Sequence, residues 1–329
     1  MKAFSLLTTL ALAALAVTGA DAAKCGTKTP APVPAPATNT TMAPAPAPVA
    51  TTTKAPAPAA SSPAPAAGGE AAAGGAKSAG CGKTATLKSG VQKVTVGGKQ
   101  REFTLYVPQN YDSSKAYKMI FTFHWRGGSM ADAVKNAGGY YGLQALAKES
   151  AIFVSPQGNG AGWANPGGED IKFVEAMISM LDADLCVNQN QRFSTGFSWG
   201  AGMSHAVACA LPDKFRAVSL IAGGLISGCD GGKQPVAYQL MHGNNDNVLS
   251  PQMGKSIMET FVKANGCTSQ NAPLPASGSG THIKTEYKGC KQGYPVIFTG
   301  FDGGHVAEPA DKGGKNFAPE ESWKFFSQF

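Results

Sequence analysis

Residues 194–206 read STGFSWGAGMSHA and place Ser198 between Gly196 and Gly200. That G-x-S-x-G spacing fits a sharp strand-to-helix turn, which lifts a hydroxyl clear of a sheet and needs small residues where the chain closes on itself. With 41 Gly among 329 residues, it also fits an ordinary small-residue turn, so the surroundings must decide. A serine hydroxyl becomes a nucleophile when a base takes its proton and a carboxylate orients that base. In chains with this turn the acid and then the histidine follow the serine. His124 precedes Ser198, and His205 falls two turns along the same expected helix, facing away. His242 closes an apolar strand but precedes the best acid, and His282 lies in the Ser/Gly-rich stretch SGTHIKTEY. His305, in GFDGGHV after the last apolar strand, follows Gly303-Gly304, which let the loop bend inward; it is the candidate base. Asp246, in MHGNNDNV directly after a strand, is the favoured acid. Asp302 remains its rival but would have to fold back on its own loop, and Asp230 comes before that strand.

Acyl transfer also needs donors for a developing oxyanion. The N–H of Trp199, at the start of a helix, is one candidate. A second should come from the loop after an earlier strand, and FHWRGGS offers Trp125 or Arg126, beside two glycines that allow close backbone approach; an ordinary glycine turn is the alternative. Tyr140, Tyr141 and Trp163 are candidates to line an aromatic acyl site, with core packing equally open.

These residues need a scaffold. VQKVTVGGKQREFTLYVP alternates around Gly97-Gly98 as a β-hairpin. YKMIFTFHW and AIFVSPQG are continuous apolar runs that fit strands buried on both faces. YYGLQALAKES between them reads as a helix. GEDIKFVEAMISMLDADL carries Ile171, Val174, Met177, Ile178, Leu181 and Leu185 at helical spacing. QRFSTGFS is a short strand, WGAGMSHAVACALPDKF a helix ending near Pro212, RAVSLIAGG and PVAYQLMHG strands. SPQMGKSIMETFVKANG is a helix stopped at Gly266, YPVIFTGF the last strand and ESWKFFSQF a closing helix. The alternation implies an α/β fold, a mostly parallel sheet with helices on both faces after an antiparallel start. Sites in such sheets form at the carboxyl ends of the strands.

The first 22 residues, with Lys2, an apolar run from Phe4 to Val17 and ADA at 20–22, read as a secretory signal peptide. Residues 23–80 are dominated by Pro, Ala, Thr, Ser and Gly and hold too little apolar surface to offset the entropy of folding; they read as a disordered stalk or linker. Asn39-Thr40-Thr41 in it is a glycosylation sequon. Residues 81–329 have the composition of one large domain. The net charge of +7 is scattered, with no basic cluster among aromatics, so nucleic acid is not an expected partner, and no later stretch would span a membrane. Seven cysteines in a secreted chain point to disulfides. Six lie in the domain, where fifteen pairings are possible, and Cys25 stands apart. No C-x-x-C occurs, which argues against a zinc ribbon or redox site.

Over 81–329 the chain resembles the secreted fungal type B feruloyl esterases of carbohydrate esterase family 1. The resemblance is carried in order by GGYYGLQALA, AIFVSPQG, GWANPGGED, RFSTGFSWGAGMS, SGCDGGKQPVAY, FVKANGCT, GSGTHIKTEYKGC, FDGGH and WKFFSQF. It implies an α/β-hydrolase fold, a triad of Ser198, Asp246 and His305, and cysteine pairs 81–186, 209–229 and 267–290 with Cys25 left free. Arg126 stands where an apolar residue is expected, and Trp199 where tyrosine is more usual. The implied protein is an extracellular, monomeric serine esterase that needs no metal or organic cofactor and releases hydroxycinnamates from xylan or pectin. An acetylxylan esterase or polyester depolymerase is the alternative within that class, and a non-catalytic wall-binding protein the alternative outside it.

Overall fold

The computed structural model describes residues 76–329. The expected signal peptide, most of the expected stalk, Asn39 and Cys25 lie outside the described residues. The fold begins ahead of the boundary expected at residue 81. Lys77 bridges to Asn188, and the Ser78 hydroxyl donates to the Leu185 carbonyl at 2.6 Å and accepts from the Val187 N–H at 2.7 Å. Small polar residues carry little burial signal, so composition placed the edge too late.

Among the described residues nine strands form one sheet: β1 (Gly90–Val96), β2 (Lys99–Tyr106), β3 (Tyr117–Phe123), β4 (Ala151–Pro156), β5 (Val187–Phe197), β6 (Ala217–Ile221), β7 (Ala237–Gly243), β8 (His282–Glu286) and β9 (Val296–Phe301), in the order β1-β2-β4-β3-β5-β6-β7-β9-β8. The run from β4 to β9 is parallel, while β1, β2 and β8 are antiparallel to their neighbours. Gly97 and Gly98 both have positive φ and close the β1–β2 hairpin.

Helices cover both faces. On one, α3 (Glu169–Asp184), α4 (Trp199–Ala210) and α5 (Pro251–Ala264) bury Phe173, Met203 and Phe261 against Phe121, Val154 and Leu240. On the other, α1 (Met130–Lys135), α2 (Leu143–Ala147) and α6 (Ala318–Phe326) bury Ala133, Leu143 and Phe326 against Ile120, Phe153 and Met241. Adjacent residues such as Ile120 and Phe121 point to opposite faces. Each large side chain removed from water contributes about 2 kcal/mol, which is why β4 and β6 are largely apolar.

Four elements differ from expectation. The helix expected over YYGLQALAKES shrinks to five residues, with Tyr140, Tyr141, Lys148 and Glu149 all at positive φ. Both tyrosines turn into the core, and Gly139 and Gly142 let the chain coil around them. The short strand expected at QRFSTGFS is the end of the eleven-residue β5, whose polar first half sits at the sheet margin. His282, expected in a loop, lies on the edge strand β8, where Lys284 and Glu286 suit an exposed edge. Helix α1 follows a capping box, Ser129 with Asp132, that the apolar pattern does not signal.

Disulfides join Cys81–Cys186, Cys209–Cys229 and Cys267–Cys290, the pairing implied by the family resemblance. The first links partners 105 residues apart, the second partners 20 apart. Loop closure in the unfolded chain therefore predicts a loss of about 5 kcal/mol for Cys81→Ala with Cys186→Ala, against about 3 kcal/mol for Cys209→Ala with Cys229→Ala. Urea unfolding of the two double variants measures this, and the reverse order would contradict it.

Candidate active site

Ser198 sits between β5 and α4 at φ 56 and ψ −116, a conformation that a residue with a side chain adopts only under constraint. The constraint is visible on both sides. The Ser198 N–H donates to the Ile221 carbonyl at 3.0 Å, and its carbonyl accepts from the Gly202 N–H at 3.0 Å. A Cβ at Gly200 would run into the Phe123 carbonyl, and one at Gly196 into the Gly200 backbone. The small flanking residues are thus a packing requirement, with β3, β5 and the start of α4 drawn together so that the Ser198 side chain stands at the carboxyl edge of the sheet.

Two loops from the same edge reach it. The chain after β7 and the chain after β9 are zipped: Asn244 N–H to the Phe301 carbonyl at 2.8 Å, Asn245 N–H to the Gly303 carbonyl at 3.0 Å, and Gly303 N–H to Asn244 Oδ1 at 3.1 Å. This fastening sets Asp246 against His305. Asp246 Oδ2 lies 2.7 Å from His305 Nδ1, and His305 Nε2 lies 2.8 Å from Ser198 Oγ. The acid is buried, whereas Ser198 and His305 are half-buried and reachable from solvent. Burial pushes the Asp246 carboxyl up. Hydrogen bonds from His242 and His305 and from the N–H groups of Leu249 and Val248 outweigh that effect and hold it well below the usual carboxylate range. It is an anion at neutral pH, and an anion at Nδ1 leaves Nε2 free to accept the serine proton.

The rival acid is turned elsewhere. Asp302 accepts from the Gly280 N–H at 2.7 Å and the Gly278 N–H at 3.2 Å, so it organises the loop before β8 and makes no hydrogen bond to His305. None of the other four histidines hydrogen-bonds Ser198. His282 faces Asp311 at 2.9 Å, His205 meets the Tyr238 hydroxyl at 3.0 Å inside the core, and His124 and His242 are wholly buried.

His124 orders the loop after β3. Its Nε2 accepts from the Gly158 N–H at 3.0 Å, which fixes the proton on Nδ1, and Nδ1–H donates to the Trp125 carbonyl at 2.7 Å. Burial lowers its pKa, which keeps the ring neutral. The Trp125 carbonyl and the Arg126 N–H share one planar trans peptide, so holding the first inward turns the second outward. The N–H groups of Arg126 and Trp199 have no acceptor among the described residues. The Arg126 guanidinium lies 5.4 Å from the Trp199 ring centre and ties the two loops together. Between the two candidates for the second donor, the geometry favours Arg126 over Trp125.

The expected aromatic acyl wall is corrected. Trp163 is fully buried, with its indole N–H donating to the His124 carbonyl at 2.8 Å, so it braces the loop after β3 and lines no open pocket. Tyr141 is buried and donates to the Phe123 carbonyl at 2.8 Å, and Tyr140 stacks on Phe153 at 4.7 Å. Core packing takes all three. Exposed apolar side chains that sequence reasoning passed over are Leu225 after β6, Val248 after β7, Met253 at the start of α5, and Val306 next in sequence to His305. For Leu225, Val248 and Val306, a position within a few residues of a strand end was the available signal.

Among the described residues, His205, Cys209 and Cys229 are the one grouping with metal-ligand proximity. The two sulfurs are joined as a disulfide, which removes the thiolates such a site would use. No helix among the described residues is long and apolar enough to cross a membrane.

The chain is 50% identical over 250 residues to a protein described as a probable feruloyl esterase C of Aspergillus terreus, covering 75% of this chain and 90% of that one. It is 49% identical over 249 residues to feruloyl esterase C of Emericella nidulans, with the same coverage. A solved acetyl xylan esterase from Aspergillus awamori shares the fold, with a TM-score of 0.54 at 17% identity, over 72% of this chain and 98% of that one. No protein-family model matches.

Burial lowers the His205 pKa to about 4, below its unfolded value near 6.5. The unfolded chain therefore binds more protons between those values. The stability this neutral ring contributes is complete above pH 6.5 and is lost as pH falls to 4, by about 3 kcal/mol. His205→Gln should flatten the pH dependence of unfolding free energy over that window by this amount; parallel curves for variant and parent would contradict it.

Proposed function

The chain belongs to the feruloyl esterase family of carboxylic ester hydrolases, and from that premise we propose that it is a serine esterase that releases hydroxycinnamates from plant cell-wall polysaccharides such as xylan or pectin. The observation that carries this reading is the line Ser198 Oγ, His305 Nε2, His305 Nδ1, Asp246 Oδ2, with contacts of 2.8 and 2.7 Å at a strained strand-to-helix turn. In it, His305 takes the Ser198 proton as Oγ attacks the ester carbonyl. Asp246 stabilises the imidazolium that forms, and the Trp199 and Arg126 N–H groups receive the oxyanion. The imidazolium returns the proton to the departing sugar hydroxyl. Water, deprotonated by His305, then attacks the acyl-enzyme and frees the carboxylic acid and Ser198. Val306, exposed and next in sequence to His305, is a candidate apolar contact for a planar aromatic acyl group.

Placement among the type B enzymes of carbohydrate esterase family 1, with the α/β-hydrolase fold, follows from the same reading. So does an extracellular, monomeric enzyme with a cleaved leader, residues 1–22, a stalk ahead of the catalytic domain and a glycan on Asn39. Three disulfides suit an oxidising compartment.

The test is turnover of methyl ferulate, acetylated xylan and an aliphatic polyester by the parent chain and by Ser198→Ala. The expected result is highest kcat/KM on ferulate and a fall in kcat of about 10⁶-fold in the variant. Preference for the acetyl ester or the polyester would contradict the substrate assignment. Activity retained in Ser198→Ala would overturn the mechanism.

A further inference from the structure

We propose that His242 is a positioning residue for this reaction, the clasp that holds Asp246 in line with His305. The proposal rests on the reading of Ser198, His305 and Asp246 as the reacting set. His242 is the penultimate residue of β7, pairs with Gly300 of β9 and is fully buried. Its Nε2 lies 2.7 Å from the Leu249 carbonyl and 3.2 Å from Asp246 Oδ2. Both neighbours only accept, so the ring proton sits on Nε2. It donates to Leu249 and presents its positive end to the carboxylate. Nδ1 meets no partner and lies against Gly254 of α5, where a Cβ would strike the ring. The ring orientation that leaves Nδ1 without a partner among the described residues is the one that places Nε2 at the acid loop.

Leu249 shows what the contact achieves. Its N–H donates to Asp246 Oδ1 at 2.9 Å while its carbonyl accepts from His242. The loop from Gly243 to Leu249 is thereby fastened at both ends: to the strand through His242 and to the acid through Leu249. Val248 N–H supplies a second bond to Oδ1 at 2.9 Å, so Oδ1 is fully engaged and Oδ2 is the oxygen left to face the two histidines. Without His242 the Leu249 carbonyl is released, and the carboxylate can rotate away from His305 Nδ1.

A double-substitution cycle in the full chain tests this, with kcat and KM measured on methyl ferulate alongside thermal unfolding. His242→Ala is expected to lower kcat by about 10²-fold with KM changed less than about threefold, because binding is untouched. His242→Gln, whose amide keeps a donor near the Nε2 position, is expected to recover all but about fivefold of the loss. In an Asp246→Asn background, His242→Ala should reduce kcat by less than about threefold further, since the group it positions is already disabled. Equal losses in both backgrounds, or an unchanged kcat in His242→Ala, would overturn the proposal. If His242→Ala does not fold, His242→Asn, whose shorter amide falls short of Leu249, carries the same comparison with the same expected loss. An unchanged kcat in Asp246→Asn alone would instead sink the assignment of the acid on which the proposal rests.

Discussion

The strained backbone at Ser198 is the constraint around which the molecule is arranged. A residue at φ 56 and ψ −116 holds about 1–3 kcal/mol of unfavourable conformation and would relax unless its surroundings forbid it. They do so with hydrogen bonds to Ile221 and Gly202 and with contacts so close that only glycine fits at 196 and 200. Those contacts exist because β3, β5 and β6 are adjacent strands of a sheet buried on both faces. The apolar core is thus what keeps one hydroxyl exposed at a fixed point.

Around that point the candidate groups come from loops that leave the same edge of the sheet: β5 leads into Ser198, β3 into Arg126, β7 into Asp246 and β9 into His305. Strand order passes from β4 through β3 to β5, so the chain reverses its direction of travel across the sheet beside the serine, where crevices form in α/β proteins. Loops alone would hold such a set poorly. Here they are fastened to one another, the β7 loop to the β9 loop through Asn244 and Asn245 and the β3 loop to Gly158 and Trp163 through His124.

Much of this was legible in the sequence because it rests on local signals. β3 and β4 announce themselves as continuous apolar runs, and Ser198, Asp246 and His305 each lie within a few residues of a strand end. The preference for Asp246 over Asp302 rested on loop geometry; in the structure Asp302 accepts from the Gly278 and Gly280 N–H groups. What sequence reasoning missed depends on distant contacts. Tyr140, Tyr141 and Trp163 look like ligand-binding aromatics in a glycine-rich stretch, yet each is drawn inward by the core or by a carbonyl more than fifteen residues away in the chain. Likewise, a capping box and an edge strand of charged residues carry no apolar pattern, so α1 and β8 stayed hidden.

The most direct measurement is covalent capture of the hydroxyl that the base activates. A fluorophosphonate added to the intact chain, followed by peptide mass spectrometry, should give a single adduct on the peptide containing Ser198, and none when His305 is replaced by alanine. An adduct on another residue, or labelling of Ser198 undiminished in His305→Ala, would show that the imidazole does not activate this serine.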